Sequence, residues 1–388
     1  MTEETLQVIL EEAFDWFHRN PELSYEEVET TSQIRRLLEK RNIEILDLPL
    51  RTGLVAMIRG KKHKPVVTIR CDIDALPIQE ETGLGNKSAT ANKMHACGHD
   101  FHLTSILGAA YLLKEKENEL EGTVKLLFQP AEESSHGAER VIESRVLEDV
   151  DAIFGLHVIP NIDVGTIGVI AGNGTAAVDR FLIDVEGVGS HAAEPHKGID
   201  PIVVSCQIVS ALQTIISRNI DPFDQGLISV TSIHGGNTWN VNPSSAQLEG
   251  TVRTFKPDTR EFIHKRMQEV SENIGRAFNA NINFQWFPGP PATNNDPSWV
   301  NFVSHVAKEE ELEVVTINPT LGGEDFAFYQ EKIKGAFISV GIGNTYPLHH
   351  SKFAVDKGAL IHSAKLFDAI ARKSLIELSR GEHDDSID

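Results

Sequence analysis

The strongest constraint on the fold is a series of short, unbroken apolar runs with helical patterns between them. Leu54 to Ile58, Pro65 to Arg70, Thr123 to Gln129 and Ala152 to Val158 are each one strand long and mostly apolar on both faces. A strand apolar on both faces has to be covered on both, which is the habit of parallel or mixed sheets. Between these runs, the segment Leu103 to Glu117 carries helical periodicity. The alternation predicts a buried mixed sheet covered by helices, an α/β layer. Before it, Glu3 to Arg41 predicts two helices separated at Pro21 and ended by the Arg41-Asn42 break.

Near Val178 the pattern changes. A strand at Phe181 to Gly187 is followed by a helix at Pro201 to Ser217. Strands at Leu227 to Ile233 and Ala246 to Phe255 come next, then a helix at Thr259 to Phe278 and a strand at Ile282 to Phe287. This is βαββαβ order, the split arrangement of a ferredoxin-like layer. The stiff segment Pro288-Gly289-Pro290-Pro291 closes it. A helix at Trp299 to Glu310, a strand at Ala336 to Gly343 and a last helix at Ala359 to Leu378 then resume the first style. The fold class expected is therefore α/β with two domains. Residues 1–178 and 292–388 form a mixed α/β body, and 179–291 form an inserted ferredoxin-like domain. A chain of 388 residues exceeds what one hydrophobic core usually supports. The acidic tail Glu382 to Asp388 is expected to be solvated and disordered.

Charge and cysteine usage exclude several functions. The net charge of -20 repels phosphate backbones and anionic lipid, so neither nucleic acid nor membrane is expected as a partner. The first residues lack a basic and then apolar leader, and no run approaches the length that spans a bilayer, so a cytoplasmic, soluble protein is expected. Three cysteines, an odd and sparse set, make a disulfide framework improbable. Cys71 and Cys206 lie in apolar surroundings, where a small buried hydrophobe is the expected role.

Four separated segments place potential metal ligands at the ends of strands or the starts of helices. Met94-His95-Ala96-Cys97-Gly98-His99-Asp100 is the first. If it is extended, Cys97 and His99 face one site, and Asp100 caps the following helix. Thiolate and imidazole both suit zinc-like divalent ions. The second is Gln129-Pro130-Ala131-Glu132-Glu133, at the end of a buried strand, where α/β sheets place ligands. Adjacent carboxylates in extended chain point to opposite sides, so one can bind metal while the other faces a bound water. Third is His157, near the end of its strand. Fourth is Pro347-Leu348-His349-His350, where spacing leaves either histidine open as a ligand.

These residues resemble the amidohydrolase branch of the co-catalytic metallopeptidase family that includes aminoacylases and glutamate carboxypeptidases. The branch holds hippurate hydrolases, N-acetyl-diaminopimelate deacetylases and auxin-conjugate hydrolases. The likeness runs through His18 to Leu23, Asp72 to Pro77, His95 to Asp100, Gln129 to Glu133, Gly155 to Val158, Gly189 to Ala193, Gly322 to Phe326 and Leu348 to Phe353. It implies two divalent ions per subunit, manganese, zinc, cobalt or nickel. It implies Cys97 as the bridging ligand, with His99, Glu133, His157 and His349 completing the shell. Glu132 is then the general base, and Asp74 is a carboxylate behind the ligands that orients them. Asp72 stands where peptidase branches usually carry a ligand histidine, which marks the amidohydrolase branch.

The inserted domain resembles the family's lid and dimerisation domain. His191 matches a histidine that polarises the scissile carbonyl, and Asn240 and Arg253 match positions that hold the substrate carboxylate. The resemblance thus implies a homodimeric, binuclear N-acyl-amino-acid amidohydrolase acting on a small-molecule substrate. A dipeptidase or carboxypeptidase of the same fold is the alternative, with a non-enzymatic metal-binding protein behind it. A zinc nucleobase deaminase is excluded, because its Pro-Cys-x-x-Cys signature is missing.

Overall fold

The computed structural model describes residues 1–134 and 136–384, with side chains through Arg380. It divides into two compact units, one of residues 1–174, 293–318 and 325–388, the other of 175–292 and 319–324. The first holds an eight-stranded sheet in the spatial order Glu44–Ile45, Leu54–Arg59, Thr123–Gln129, Val66–Asp72, Ala152–Ile159, Gly335–Gly341, Thr166–Val169, Glu313–Thr316. The middle strands Thr123–Gln129, Val66–Asp72, Ala152–Ile159 and Gly335–Gly341 run parallel. Leu54–Arg59 joins antiparallel on one side and Thr166–Val169 on the other, giving the large mixed sheet that the apolar runs predict. The runs are unbroken because every residue of Val66–Asp72 and Thr123–Gln129 is buried. Thr166–Val169 and Glu313–Thr316 were not legible in the sequence, being only four residues each.

Helices cover the sheet through apolar stripes. Helix Glu3–Arg19 opens with Thr2, whose hydroxyl accepts the Thr5 N–H, and buries Leu6, Leu10, Ala13, Phe14 and Phe17. Burying each such leucine or phenylalanine contributes about 1.5–3 kcal/mol. Helix His99–Glu115 is buried along most of its length. It approaches helix Ala359–Asp384 closely enough that a Cβ at Gly108 would lie 2.6 Å from the Ala364 Cβ. That last helix runs beyond the expected Leu378 to Asp384, because no proline interrupts its hydrogen bonding. The tail thus starts as helix, and Asp385 to Asp388 lie outside the described residues.

The second unit holds an antiparallel sheet in the order Gly226–Gly235, Ser245–Thr254, Ala177–Glu186, Asn281–Pro288. Helices Pro201–Arg218 and Pro257–Ala277 pack on it through Val204, Ile208, Leu212, Ile215, Ile263 and Met267. Pro201–Arg218 is long and apolar enough to cross a bilayer, yet one stripe of it packs on Phe181, Ile183 and Leu248. Cys206 lies off that stripe and is exposed, which corrects its reading as a buried hydrophobe. Among the described residues only one face of the helix has a partner, and Cys206 lies off it, with the exposed Ile202 and Val203.

Asp100 is not the N-cap of its helix, although its Oδ1 accepts the first-turn Phe101 N–H at 2.9 Å. The N-cap is Gly98, in the left-handed region at φ 83°, and Asp100 sits in the first turn. Its carboxylate accepts from His18 Nδ1 at 2.6 Å, and His18 Nε2 lies 3.4 Å from Glu80. Burial opposes a charge on His18, but the two carboxylates outweigh it and raise its pKa to about 10. The triad ties the first helix to the start of helix His99–Glu115.

Removing the imidazole leaves two buried carboxylates without a counter-charge, so His18→Ala is expected to cost about 3–5 kcal/mol in urea unfolding at neutral pH. The wild-type advantage should be fully developed below the ordinary imidazole value of about 6.5. It should then fade as pH rises toward about 10, the folded-state value. It should also shrink in acid, as Asp100 and Glu80, both held below the usual carboxylate range, take up protons. A variant stability that tracks wild type at every pH would refute the triad's role.

Candidate metal centre

Three parallel strands, Val66–Asp72, Thr123–Gln129 and Ala152–Ile159, deliver their C-terminal ends to one place, the general location of sites in open α/β sheets. There the donor atoms of Cys97, His99 and His157 lie within 4.8 Å of one another, as do those of Cys97, Glu133 and His349, and of His99, Glu132 and Glu133. Cys97 Sγ is 3.3 Å from Nε2 of both His157 and His349. His349 Nε2 is also 3.4 Å from Glu133 Oε1. His350 turns away, stacking on Tyr346 with ring centroids 4.5 Å apart.

Two of the imidazoles are aimed by a bond from their other nitrogen. His99 Nδ1 donates to Asp74 Oδ1 at 3.2 Å, leaving Nε2 toward the cluster. His157 Nδ1 donates to the Val158 carbonyl at 2.8 Å, which likewise frees Nε2. His349 is held by its backbone, at φ 64° and with its N–H on the Ala96 carbonyl. His102 differs, since both nitrogens are used: Nδ1 donates to Asp72 at 2.6 Å and Nε2 accepts the Val158 N–H at 2.9 Å. It braces the strand end that carries His157. Burial drives its pKa down to about 4 despite Asp72, which keeps it neutral for that double role.

Two local geometries differ from the sequence expectation. Cys97 and His99 converge across the left-handed Gly98 at a helix start, not by alternation along a strand. Glu132 and Glu133 form a short 3-10 turn after Ala131, itself left-handed at φ 57°, so their donor atoms face the same cluster. Asp74 holds this turn, accepting the Glu132 N–H at Oδ1 (3.1 Å) and the Glu133 N–H and Ser24 hydroxyl at Oδ2 (3.0 and 2.7 Å).

Behind the cluster lies a network that sequence reasoning missed. Arg70, fully buried, donates to Asp72 at 2.8 Å, Gln129 at 2.8 Å and Asp325 at 2.7 Å. Asp325 in turn accepts from Gln129 and from the Ala138 N–H. The available signal was an arginine inside an otherwise apolar strand, because a buried charge requires partners.

The arrangement fits divalent metal. His99 Nε2 and Glu133 Oε1 are buried and have no hydrogen-bond partner among the described residues, although they lie 4.0 Å apart. Buried polar atoms are nearly always paired, and a cation between such donors would satisfy both. Burial raises the Cys97 thiol well above its usual range, and His99, charged by Asp72 and Asp74 against its own burial, is raised as well. An ion held there would have to displace both protons.

In the second unit, His191 and Asn240 are neighbours on a small ribbon. Val241 pairs with His191, and the Asn240 carbonyl accepts the Ala192 N–H. His191 Nδ1 accepts the Ala193 N–H at 3.1 Å, which leaves an exposed Nε2–H as donor. Arg253, on strand Ser245–Thr254, is partly buried, and its guanidinium has no hydrogen-bond or ion-pair partner among the described residues. Burial lowers its pKa, against the opposing charge of Asp179.

Residues 68–373 match the pattern of the peptidase family M20/M25/M40. An N-acetylcysteine deacetylase of Bacillus subtilis is 47% identical, over 91% of this chain and 93% of its own. Thermostable carboxypeptidase 1 of Saccharolobus solfataricus is 36% identical, over 93% and 97%. The crystal structure of the Bacillus subtilis YXEP protein, a dinuclear metal binding peptidase from the M20 family, superposes with a TM-score of 0.87. It is 43% identical and covers 96% of this chain and 99% of that one. The chain belongs to the M20 peptidase family. It is a hydrolase acting on amide bonds, and its cluster of donors fits the two-ion centre of that neighbour.

Because Asp74 orients one ligand and the backbone of two carboxylates, Asp74→Ala should weaken metal affinity by about 10–100-fold. Competition against a chromophoric chelator measures this, and wild-type affinity in the variant would contradict the orienting role.

Proposed function

We propose that the protein hydrolyses the amide bond of N-acyl-L-amino acids, releasing a carboxylate and a free amino acid. The observation that carries this reading is the convergence of Cys97, His99, Glu133, His157 and His349, with two orphaned donor atoms, beside a further carboxylate, Glu132. The 47% identical N-acetylcysteine deacetylase supports the substrate class. In this reading the five residues hold two divalent ions, manganese, zinc, cobalt or nickel. Cys97 would belong to the ligands of that set, its sulfur lying in both the His157 group and the His349 group. Bound there, the ions supply Lewis acidity toward the scissile carbonyl and toward water.

The chain's own residues do the rest. Glu132 takes the proton of the attacking water and delivers it to the leaving amine nitrogen. Asp74 keeps Glu132 and Glu133 in register by their backbone N–H groups. The Nε2–H of His191 is the donor for the developing oxyanion. Arg253 takes the substrate carboxylate in its planar fork, and Asn240 adds a side-chain amide.

The second unit is proposed as a ferredoxin-like lid spanning residues 179–291 that also forms a homodimer. Supporting this, strand Gly226–Gly235 is an edge strand with Leu227 and Ile233 exposed, and the adjoining helix exposes Ile202 and Val203. The compartment proposed is the cytoplasm, which keeps unpaired thiols such as that of Cys97 reduced. A carboxypeptidase is the second reading, favoured by the 36% identical thermostable carboxypeptidase. Product analysis on N-acetyl amino acids against N-blocked peptides separates the two.

Glu132→Gln should keep its metal and lose on the order of 10²–10⁴ in kcat. Near-normal turnover on every N-acyl amino acid tried would sink the assignment. Mixing His191→Ala with Glu132→Gln subunits tests the dimer. If His191 acts across a two-fold interface, each mixed dimer contains one intact site, and partial activity returns on subunit exchange. Continued inactivity despite demonstrated exchange would place His191 in its own subunit's site or outside catalysis.

A further inference from the structure

The turn carrying Glu132 is held in a conformation its own residues do not favour. Ala131 lies at φ 57°, a region that a residue with a Cβ adopts only when its surroundings impose it. Two of the constraints are glycines packed on the preceding peptide. A Cβ at Gly137 would lie 1.9 Å from the Pro130 carbonyl oxygen, and one at Gly53 would lie 2.5 Å from the Pro130 Cδ. The third is a side chain, since Glu27 Oε1 accepts the Ala131 N–H at 2.8 Å from 104 residues away.

Glu27 is placed oddly for any local purpose. It occupies the N-cap of helix Val28–Glu39 but makes no capping bond. The helix's first amides go instead to Glu22, which accepts the Glu29 and Thr30 N–H groups at 3.1 and 2.7 Å. Glu27 is wholly buried, and burial, with Asp74 nearby, pushes its carboxyl up to about 7. A carboxyl group buried at such cost, beside a helix it does not cap, finds a use at the far end of its bond to Ala131.

We infer that Glu27 is a positioning residue for Glu132: by holding the Ala131 N–H it fixes the Pro130-Ala131 peptide plane, and with it the left-handed Ala131 through which the chain enters Glu132. Asp74 fixes the Glu132 and Glu133 amides beyond that plane, and Ser134 donates to the Ala131 carbonyl. Glu27 therefore governs the entry to the turn and Asp74 its exit. The inference rests on the reading of Glu132 as proton shuttle.

The test uses the metal-loaded full chain and an N-acetyl amino acid, with Glu27→Ala, Glu27→Asp and Glu27→Gln each made in the wild-type and the Glu132→Gln background. Glu27→Ala should lower kcat by about 10²-fold, the cost of a small misplacement of a reacting group, with KM and metal content unchanged. Glu27→Gln retains an acceptor oxygen at the same reach and should keep most of the rate. Glu27→Asp, drawn back by one methylene, should lose rate while keeping its charge, and it serves if the alanine variant does not fold. In the Glu132→Gln background the same changes should have no further effect on kcat, because there is no shuttle left to aim. An additive loss in that background, a loss of metal, or a glutamine variant as slow as the alanine one would each overturn the inference while Glu132→Gln stays slow. Fast turnover by Glu132→Gln alone would overturn the shuttle reading and this inference with it.

Discussion

The carboxylate of Asp74 gathers the centre. It is 1% exposed and accepts from His99 Nδ1, the Ser24 hydroxyl and the amides of Glu132 and Glu133. Burial alone would protonate it, but the donors, His99 foremost, hold its pKa below the usual range, so it stays an acceptor at every position. Through this one anion, a ligand at the start of a helix and two carboxylates after a strand keep a fixed relation. None of these partners is adjacent to Asp74 in the chain, so the geometry exists only once the parallel strands are side by side.

A second buried charge does comparable work one layer deeper. Arg70 spans its own strand, the neighbouring strand through Gln129, and the loop at Asp325. Its planar fork serves three acceptors in different directions, which a lysine ammonium on a flexible stem would not reproduce. Asp72, so held, passes the constraint through His102 to the Val158 amide, and hence to the strand end that bears His157. Burying these charges is tolerable because each is satisfied by hydrogen bonds to a partner of opposite sign or to a neutral imidazole.

The sheet was legible because its central strands are buried on both faces, which forces continuous apolar runs such as Val66 to Ile69. The convergent donors were legible because cysteine, histidine and glutamate at strand ends have few structural reasons to cluster. What was not legible depended on contacts between distant segments. The left-handed Ala131 looks like an ordinary residue until Gly53, Gly137 and Glu27 close on it. Asp100 reads as a cap, but the preceding Gly98 starts the helix and His18 claims the carboxylate. Cys206 failed for a different reason, because composition reports how apolar a helix is and not which of its faces finds a partner.

The position of strand Gly335–Gly341 bears on how the chain reaches this state. It lies between Ala152–Ile159 and Thr166–Val169, parallel to the first and antiparallel to the second. Those two strands are near neighbours in sequence, yet the middle of the sheet is completed by a segment synthesised long after both. Until it arrives, each presents an unpaired edge, and the nascent chain must carry those edges through the whole of residues 175–292. Such long-range pairing is slow to nucleate, since the ends of a long loop have to meet before any contact rewards them. His349 follows this last strand and is 252 residues from Cys97, so the donor set closes only when the sheet does. A chain that has not yet added its final strand therefore holds the Cys97 thiol without its His349 neighbour, beside two open strand edges.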